Sequence, residues 1–322
     1  GPHDGTSNIE RAIGNLIRVR RGTSAPLEVV VPAGNSRLKR CHAVVKFEGR
    51  RGEKGSTKTL SWRVLPDDRT TSHLEIWLPP TPQGQPESRL RLNVEPPDGE
   101  RMKEPMEEHI RPFRVWGEKP EEGMCYVRYC YVPAPTNRGM FLVTVQPTVQ
   151  LEQEDATGIF DPGHLDVAAS AGEWKIVLEN CSLERGDEVH AWIQRDDTRY
   201  GQLPFGRQSY FDDPEYVRFD DYGRVPEDDS ETSLVKRAGT LHGIATERDM
   251  IVVGGFRRKG LFPAEYSGEG TAISRKGPDV AAVSDESIIR RGVLATGTRS
   301  GSIVALTGTS VAAPQIAKLV AC

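Results

Sequence analysis

Residues 307–314 read Thr-Gly-Thr-Ser-Val-Ala-Ala-Pro. One serine, Ser310, stands between a glycine-led turn and an apolar run of helical spacing. Gly308 lets the backbone approach its neighbours closely. Ala312 and Ala313 let the following helix lie tightly against the elements beside it, and Pro314 suits a first helical turn, where its missing N–H is harmless. Ser310 is therefore expected near a helix N-terminus, where free N–H groups and the positive end of the dipole favour developing negative charge. That environment suits a serine nucleophile whose adduct carries an oxyanion. The same pattern also describes a serine that only caps a buried helix. Far upstream, Val31, Pro32, Ala33, Gly34 and Asn35 end a short apolar strand, and an asparagine after glycine reads as a turn residue.

Other reactive side chains are less organised. The five cysteines, Cys41, Cys125, Cys130, Cys181 and Cys322, are scattered and odd in number, which is not a disulfide framework. No paired CxxC or HxxxH spacing marks a zinc site, so they are read as free thiols. Asp212, Asp213, Glu215, Asp220 and Asp221 form an acidic run that could hold calcium, but it lacks the spacing of a calcium loop, and a solvated loop fits it as well. No other cofactor is expected. The formal charge is 42 minus 46, or −4, too near neutral to point to nucleic acid or an anionic membrane. No apolar run is long enough to span a bilayer. The first residues carry no signal-peptide pattern, and no compartment is read from the start of the chain.

The elements that would position Ser310 lie at the two ends. Ser7 and Glu10 fit a capping box, and Ile9, Ala12, Ile13, Leu16 and Ile17 recur at helical spacing. Residues 27–31 then form a continuous apolar run, as in a strand covered on both faces. Near the C-terminus, 250–256 and 278–283 are similar buried strands, 303–306 leads into the serine turn, and 311–321 reads as a helix apolar nearly all round and therefore buried. Between these ends the period changes. Residues 43–47, 59–65, 73–78, 89–94, 125–132, 140–146, 174–178 and 189–194 read as strands, several with strict alternation such as Leu60, Trp62 and Val64 against Thr59, Ser61 and Arg63. Many strands with few helices suggest a β-sandwich or jelly roll. Residues 95–122 and 212–230, rich in charge and proline, read as mobile. The expected organisation is a domain of 1–36 and 231–322, interrupted by a β domain of 37–230.

The string Gly308-Thr309-Ser310-Val311-Ala312-Ala313-Pro314 resembles, position by position, the serine motif of the subtilisin-like serine proteases (subtilases). Val29 to Asn35 is similar to that family's strand ending in Ala-Gly-Asn. Gly1-Pro2-His3-Asp4-Gly5 looks like the end of its substrate-binding segment, and 250–255, Tyr266-Ser267 and 278–282 resemble further stretches, with Val283-Ser284 departing from the usual Pro-Gly. The resemblance implies an α/β fold with a mostly parallel sheet, incomplete here, carrying an inserted all-β sandwich or jelly-roll domain. It implies a serine endopeptidase in which Ser310 is the nucleophile and Asn35 donates to the oxyanion. A protein or peptide substrate would lie beside Gly1 and Pro2 and pair with the edge formed by Val31, Pro32, Ala33 and Gly34, with Gly308, Thr309 and Pro314 supporting the motif.

The family's aspartate and histidine motifs do not occur in the chain. None of His3, His42, His73, His109, His164, His190 and His242 sits in the context of its base. The reading is truncation: the N-terminal half of the catalytic domain, with both residues, lies outside this chain, which alone is expected to be inactive. A second reading from another class is a non-catalytic pseudoprotease, or a protein- or carbohydrate-binding module dominated by the β insert.

Overall fold

A computed structural model of the chain describes residues 1–81, 88–97, 114–115, 124–149, 168–196, 206–271, 275–289 and 292–322. They form two compact units, one of Gly1–Arg40, Arg218–Asp228 and Lys236–Cys322, the other of Cys41–Val217 and Asp229–Val235. Of the stretch 95–122, all but 95–97 and 114–115 lie outside the described residues, as do His109 and His164. Among the described residues no helix is long and apolar enough to cross a membrane.

The first unit opens with helix α1, Asn8–Arg21, whose N-cap Ser7 accepts a hydrogen bond from the Glu10 N–H. Its inward face is only partly the apolar stripe read from the spacing: Ile13 and Ile17 pack inward, but the face is turned from the rest of the stripe. Glu10, Gly14 and Ile17 are buried, while Ile9, Leu16 and Val19 are exposed. The cause is Glu10. Its Oε1 accepts from the Thr246 N–H (3.0 Å) and hydroxyl (2.5 Å), and its Oε2 accepts from the Ser7 hydroxyl (2.7 Å). A buried carboxylate needs such partners, and once they form, the face at 10, 13, 14 and 17 must turn inward. A Cβ on Gly14 would meet the Glu247 side chain. Strand β1, Val30–Pro32, comes next.

The second unit holds β2 (His42–Val45), β3 (Thr57–Val64), β4 (Ser72–Trp77), β5 (Leu90–Glu95), β6 (Arg114–Val115), β7 (Cys125–Val132), β8 (Arg138–Val145), β9 (Gly172–Asn180), β10 (Val189–Ile193) and β11 (Tyr210–Phe211). They pair antiparallel in two sheets, in the orders β2-β10-β4-β8-β7-β6 and β11-β3-β9-β5. One apolar cluster is shared by both sheets. Leu60, Trp62, Val64, Ile176 and Leu178 enter it from one sheet and Leu74, Ile76, Phe141 and Val143 from the other. Thr59 is exposed and Ser61 and Arg63 are only partly buried, as the pleat requires. On the outer side of the larger sheet, His42 Nε2 lies 3.0 Å from His190 Nδ1. Glu188, bonded by His190 and Lys46, has its carboxyl lowered to about 2. The acidic residues of the 212–230 stretch make specific bonds. Asp212 pairs with Arg63, Asp213 accepts from the N–H groups of Leu234 and Val235, and Asp220 pairs with Arg224. Among the described residues no three His, Cys, Asp or Glu groups gather as a metal site.

The chain then completes the first unit with β12 (Ile251–Arg257), β13 (Val280–Asp285), β14 (Val293–Thr296), β15 (Ile303–Leu306) and helix α2 (Thr309–Val320). The parallel sheet has only the order β1-β12-β13, with Val30 opposite Ile251 and Val253 opposite Val280. Ile17, Val31 and Val252 pack on one face, and Val253, Ala282, Ala312 and Ala313 on the other. The expected α/β, mostly parallel architecture is therefore corrected: among the described residues strands far outnumber the two helices, and most of them pair in antiparallel sheets, with one small parallel sheet. The apolar run 303–306 explains part of the difference. It does not join the parallel sheet but pairs with β14 in a separate hairpin, and all four of its residues are exposed. Helix α2 is likewise not buried all round: Ala312 and Ala313 face the sheet, while Leu319 and Val320 are exposed.

Phe141 is fully buried at the centre of the shared cluster, its ring 4.9 Å from that of Tyr129. Phe141→Ala should lower the stability of this unit by about 3–5 kcal/mol, read from urea unfolding of the chain. A loss well under 1 kcal/mol would mean that the two sheets do not share this cluster.

Candidate active site at the start of helix α2

The N-cap of α2 is Gly308, at φ 120° and ψ 163°, a conformation open essentially to glycine alone. A Cβ on Gly308 would also come 2.9 Å from Asn35 Nδ2, so both backbone and space exclude a side chain. Ser310 is the second residue of the helix, not its cap. Pro314 lies inside the helix rather than in its first turn. Having no N–H, it leaves the Ser310 carbonyl without its usual intrahelical donor.

Asn35 closes the start of the helix from outside. Its Oδ1 accepts from the Thr309 N–H (3.0 Å) and the Thr309 hydroxyl (3.1 Å). Thr309 Oγ1 in turn accepts from the Gly34 N–H (3.1 Å). Two donors on one atom establish that end of the carboxamide as the oxygen, so Nδ2 projects from the opposite corner. Asn35 and Ser310 are both exposed, whereas Gly308 and Thr309 are buried. The first N–H groups of a helix have no intrahelical acceptor. Here Thr309 N–H goes to Asn35 and Val311 N–H to the Gly308 carbonyl (2.9 Å). Among the described residues none takes a hydrogen bond from Ser310 N–H or Asn35 Nδ2. Asn35 and the exposed Ser310 thus both stand at the first turn of α2, the positive end of a helix, with Asn35 Nδ2, Ser310 N–H and the Ser310 hydroxyl unbonded among the described residues.

The strand edge expected to take substrate is differently occupied. Ala33 N–H donates to Val253 O (2.9 Å), Ala33 O accepts from His242 N–H (2.8 Å), and Gly34 O accepts from Gly268 N–H (2.8 Å). With Gly34 N–H on Thr309, neither residue keeps an N–H for an added strand, and Pro32 has none. Val31 is buried, as is Pro2, while Gly1 is exposed. The structure places Gly1 and Pro2 in the same unit as Ser310 but prescribes no pairing of substrate with Ala33 or Gly34.

A second layer under the turn was not legible from spacing. Asp285, at the end of β13, accepts from the Tyr266 hydroxyl (2.6 Å), the Thr307 hydroxyl (2.7 Å) and the Gly292 N–H (2.9 Å). Tyr266 Oη accepts from the Gly308 N–H (3.1 Å) and lies 2.9 Å from Ser284 Oγ. Burial opposes the charged form of Asp285, but the bonds from Tyr266, Thr307 and Gly292, with the Arg257 charge, outweigh it and hold the carboxyl below the usual carboxylate range. Burial and the adjacent Asp285 push the Tyr266 phenol up. Val283-Ser284, where the resembled pattern has a turn, simply continues strand β13. The one sequence signal for this layer was Tyr266-Ser267, read as a pattern match without a role.

No family model matches the chain, and no curated protein matches it. Among solved structures it is similar to the Clostridium perfringens CspB protease, with a TM-score of 0.64 and 18% sequence identity, over 100% of this chain and 52% of that one. At that identity the likeness carries the fold alone, and the chain spans about half the length of that protease structure. Membership of the subtilases, expected from 308–314, is corrected accordingly: a seven-residue string is a local match, and no family-level similarity extends it along the chain.

The depressed Asp285 carboxyl makes a stability prediction. A carboxyl with its folded value below its unfolded one, about 3.9 for aspartate, contributes fully above that pH and loses its contribution as pH falls through the folded value. Asp285→Asn should therefore lower the melting temperature near neutral pH and flatten its fall below about pH 4. Parallel acid limbs for the two proteins would show that Asp285 is not held ionised by this network.

Proposed function

We propose that this chain supplies the nucleophile and the oxyanion donors of a serine peptidase that cleaves peptide bonds by acyl transfer. The observation that carries the reading is the Asn35–Thr309 pair of bonds, which ties Asn35 to the residue before Ser310 and leaves Asn35 Nδ2 and Ser310 N–H unbonded among the described residues. The fold likeness to a protease structure supports the same class. In the reaction, Ser310 Oγ attacks the scissile carbonyl and a histidine takes its proton. The carbonyl oxygen becomes an anion held by Asn35 Nδ2 and Ser310 N–H. The histidine passes the proton to the leaving amine, and water releases the acyl group by the reverse sequence. The base is assigned to polypeptide outside this chain, because none of its histidines sits in the sequence context of such a base and none of the described ones bonds to Ser310.

That same absence favours a second reading, in which the chain binds protein or carbohydrate without catalysis. The two separate in the protein expressed from its own gene. On the first reading it hydrolyses casein and reacts with a fluorophosphonate, and Ser310→Ala abolishes both. Asn35→Ala should cost about 10²–10³ in kcat with little change in KM, the usual effect of losing one such donor. The 322-residue chain by itself should not cleave casein. Undiminished hydrolysis by Ser310→Ala would end the peptidase reading, and a wholly inert wild-type protein would favour the binding one.

A further inference from the structure

We propose that Asp285 is a positioning residue for Ser310: it fixes the Tyr266 and Thr307 hydroxyls, and Tyr266 fixes the Gly308 N–H, so that the turn presents the serine in one orientation. The inference rests on the reading of Ser310 as nucleophile. The need for such a device follows from what surrounds the turn. On its N-terminal side lies β15, whose residues are all exposed and pair with β14, so Thr307 gains no buried apolar core from that direction. At its centre Gly308 sits in a region of backbone space that glycine can leave readily. Asn35 holds Thr309, one residue later, but nothing in that contact restrains the peptide between Thr307 and Gly308. The hydroxyl of Tyr266 does so from below, 3.1 Å from Gly308 N.

The order of the bonds shows which group governs the others. A phenol has one proton, and an ionised carboxylate is the strongest acceptor in reach. Asp285 Oδ2 therefore takes the Tyr266 proton at 2.6 Å. That turns the phenol's lone pairs toward Gly308 N–H. Asp285 Oδ1 takes the Thr307 proton at 2.7 Å. One carboxylate thus orients both residues that bracket the peptide entering Gly308. The charge acting on it is that of Arg257, its partner on the neighbouring strand, whose guanidinium pairs with Glu265 at 3.2 Å. Asp285 itself touches neither Ser310 nor Asn35, and its effect on chemistry passes wholly through the turn.

The test uses the protein expressed from its own gene, with Tyr266→Phe, Asp285→Asn and Asp285→Glu beside wild type and Ser310→Ala. Two quantities are read: hydrogen-exchange protection of the Gly308 amide, and fluorophosphonate inactivation split into binding constant and maximal rate. Tyr266→Phe and Asp285→Asn should each lower Gly308 protection about tenfold, the scale of one lost hydrogen bond. Each should slow the maximal inactivation rate about 10- to 100-fold, as small misplacements of a nucleophile do, with the binding constant unchanged. Asp285→Glu should restore part of both, and Ser310→Ala should leave Gly308 protection intact. If Asp285→Asn does not fold, Tyr266→Phe decides, since it removes a single hydroxyl. Wild-type protection of Gly308 in Tyr266→Phe would overturn the proposal, as would slower inactivation that arises only from weaker probe binding. If protection falls in the variants while wild type is never labelled, the positioning of the turn stands and the nucleophile reading fails.

Discussion

A carboxamide oxygen that accepts two hydrogen bonds fixes the plane of its own amide, and at Asn35 this fixes the rest of the site. Both bonds come from one residue, Thr309, through its N–H and its hydroxyl. The partners are 274 positions apart, so the contact joins the end of β1 to the first turn of α2. Everything nearby is arranged around it. Gly308 has no side chain because one would strike Asn35. Thr309 is buried although it carries a hydroxyl, because that hydroxyl also receives the Gly34 N–H. Threonine is the residue type that can give and take a bond at once while its methyl faces the core.

The same logic recurs at the other organising points of this unit, each built on a carboxylate, buried at Glu10 and Asp285 and exposed at Asp279. Glu10 ties the first turn of α1 to Thr246. Asp279 accepts from Val252 N–H at 2.8 Å, and also from Arg275, which in turn donates to Met250 O at 2.7 Å. These bonds hold the loop before β13 against the start of β12. Asp285 does the equivalent for the serine turn. Buried acids are costly unless fully bonded, and Glu10 and Asp285 are satisfied by N–H groups and hydroxyls, most of them from other segments. With only three strands in the parallel sheet, apolar area alone specifies loop positions weakly, and these directional bonds complete the specification.

What could be read in the residues was set by periodicity and by short strings. Leu60, Trp62 and Val64 announced their own strand because alternation has one physical cause, a sheet wet on one side. The serine turn was visible because glycine, small residues and a helix start must adjoin there. The inward face of α1 was partly misread because apolar spacing is outweighed when a single Glu finds three donors. The sheet class was misread because an apolar run such as 303–306 carries no label for its partner, and it paired with 293–296 outside the parallel sheet. Tyr266 and Asp285 were invisible for a related reason. Their relation is spatial, and no period links a phenol to a carboxylate 19 positions further on.

The separation of Asn35 from Thr309 by a whole second unit is thermodynamically mild. The entropy of closing a flexible loop grows only as the logarithm of its length, about 0.6 kcal/mol for each doubling. A folded insert costs less still, because its own core fixes the intervening chain. The second unit has such a core, with Trp62, Phe141, Trp174 and Leu74 fully buried within it. The first unit must then recover its contacts from pieces that meet across that insertion. It does so with short directional devices: three Cα-paired positions between β1 and β12, backbone bonds from Ala33 and Gly34 to His242, Gly268 and Thr309, Glu10 on Thr246, and one asparagine on one threonine. The position of the serine turn therefore rests on bonds made by residues far from it in sequence.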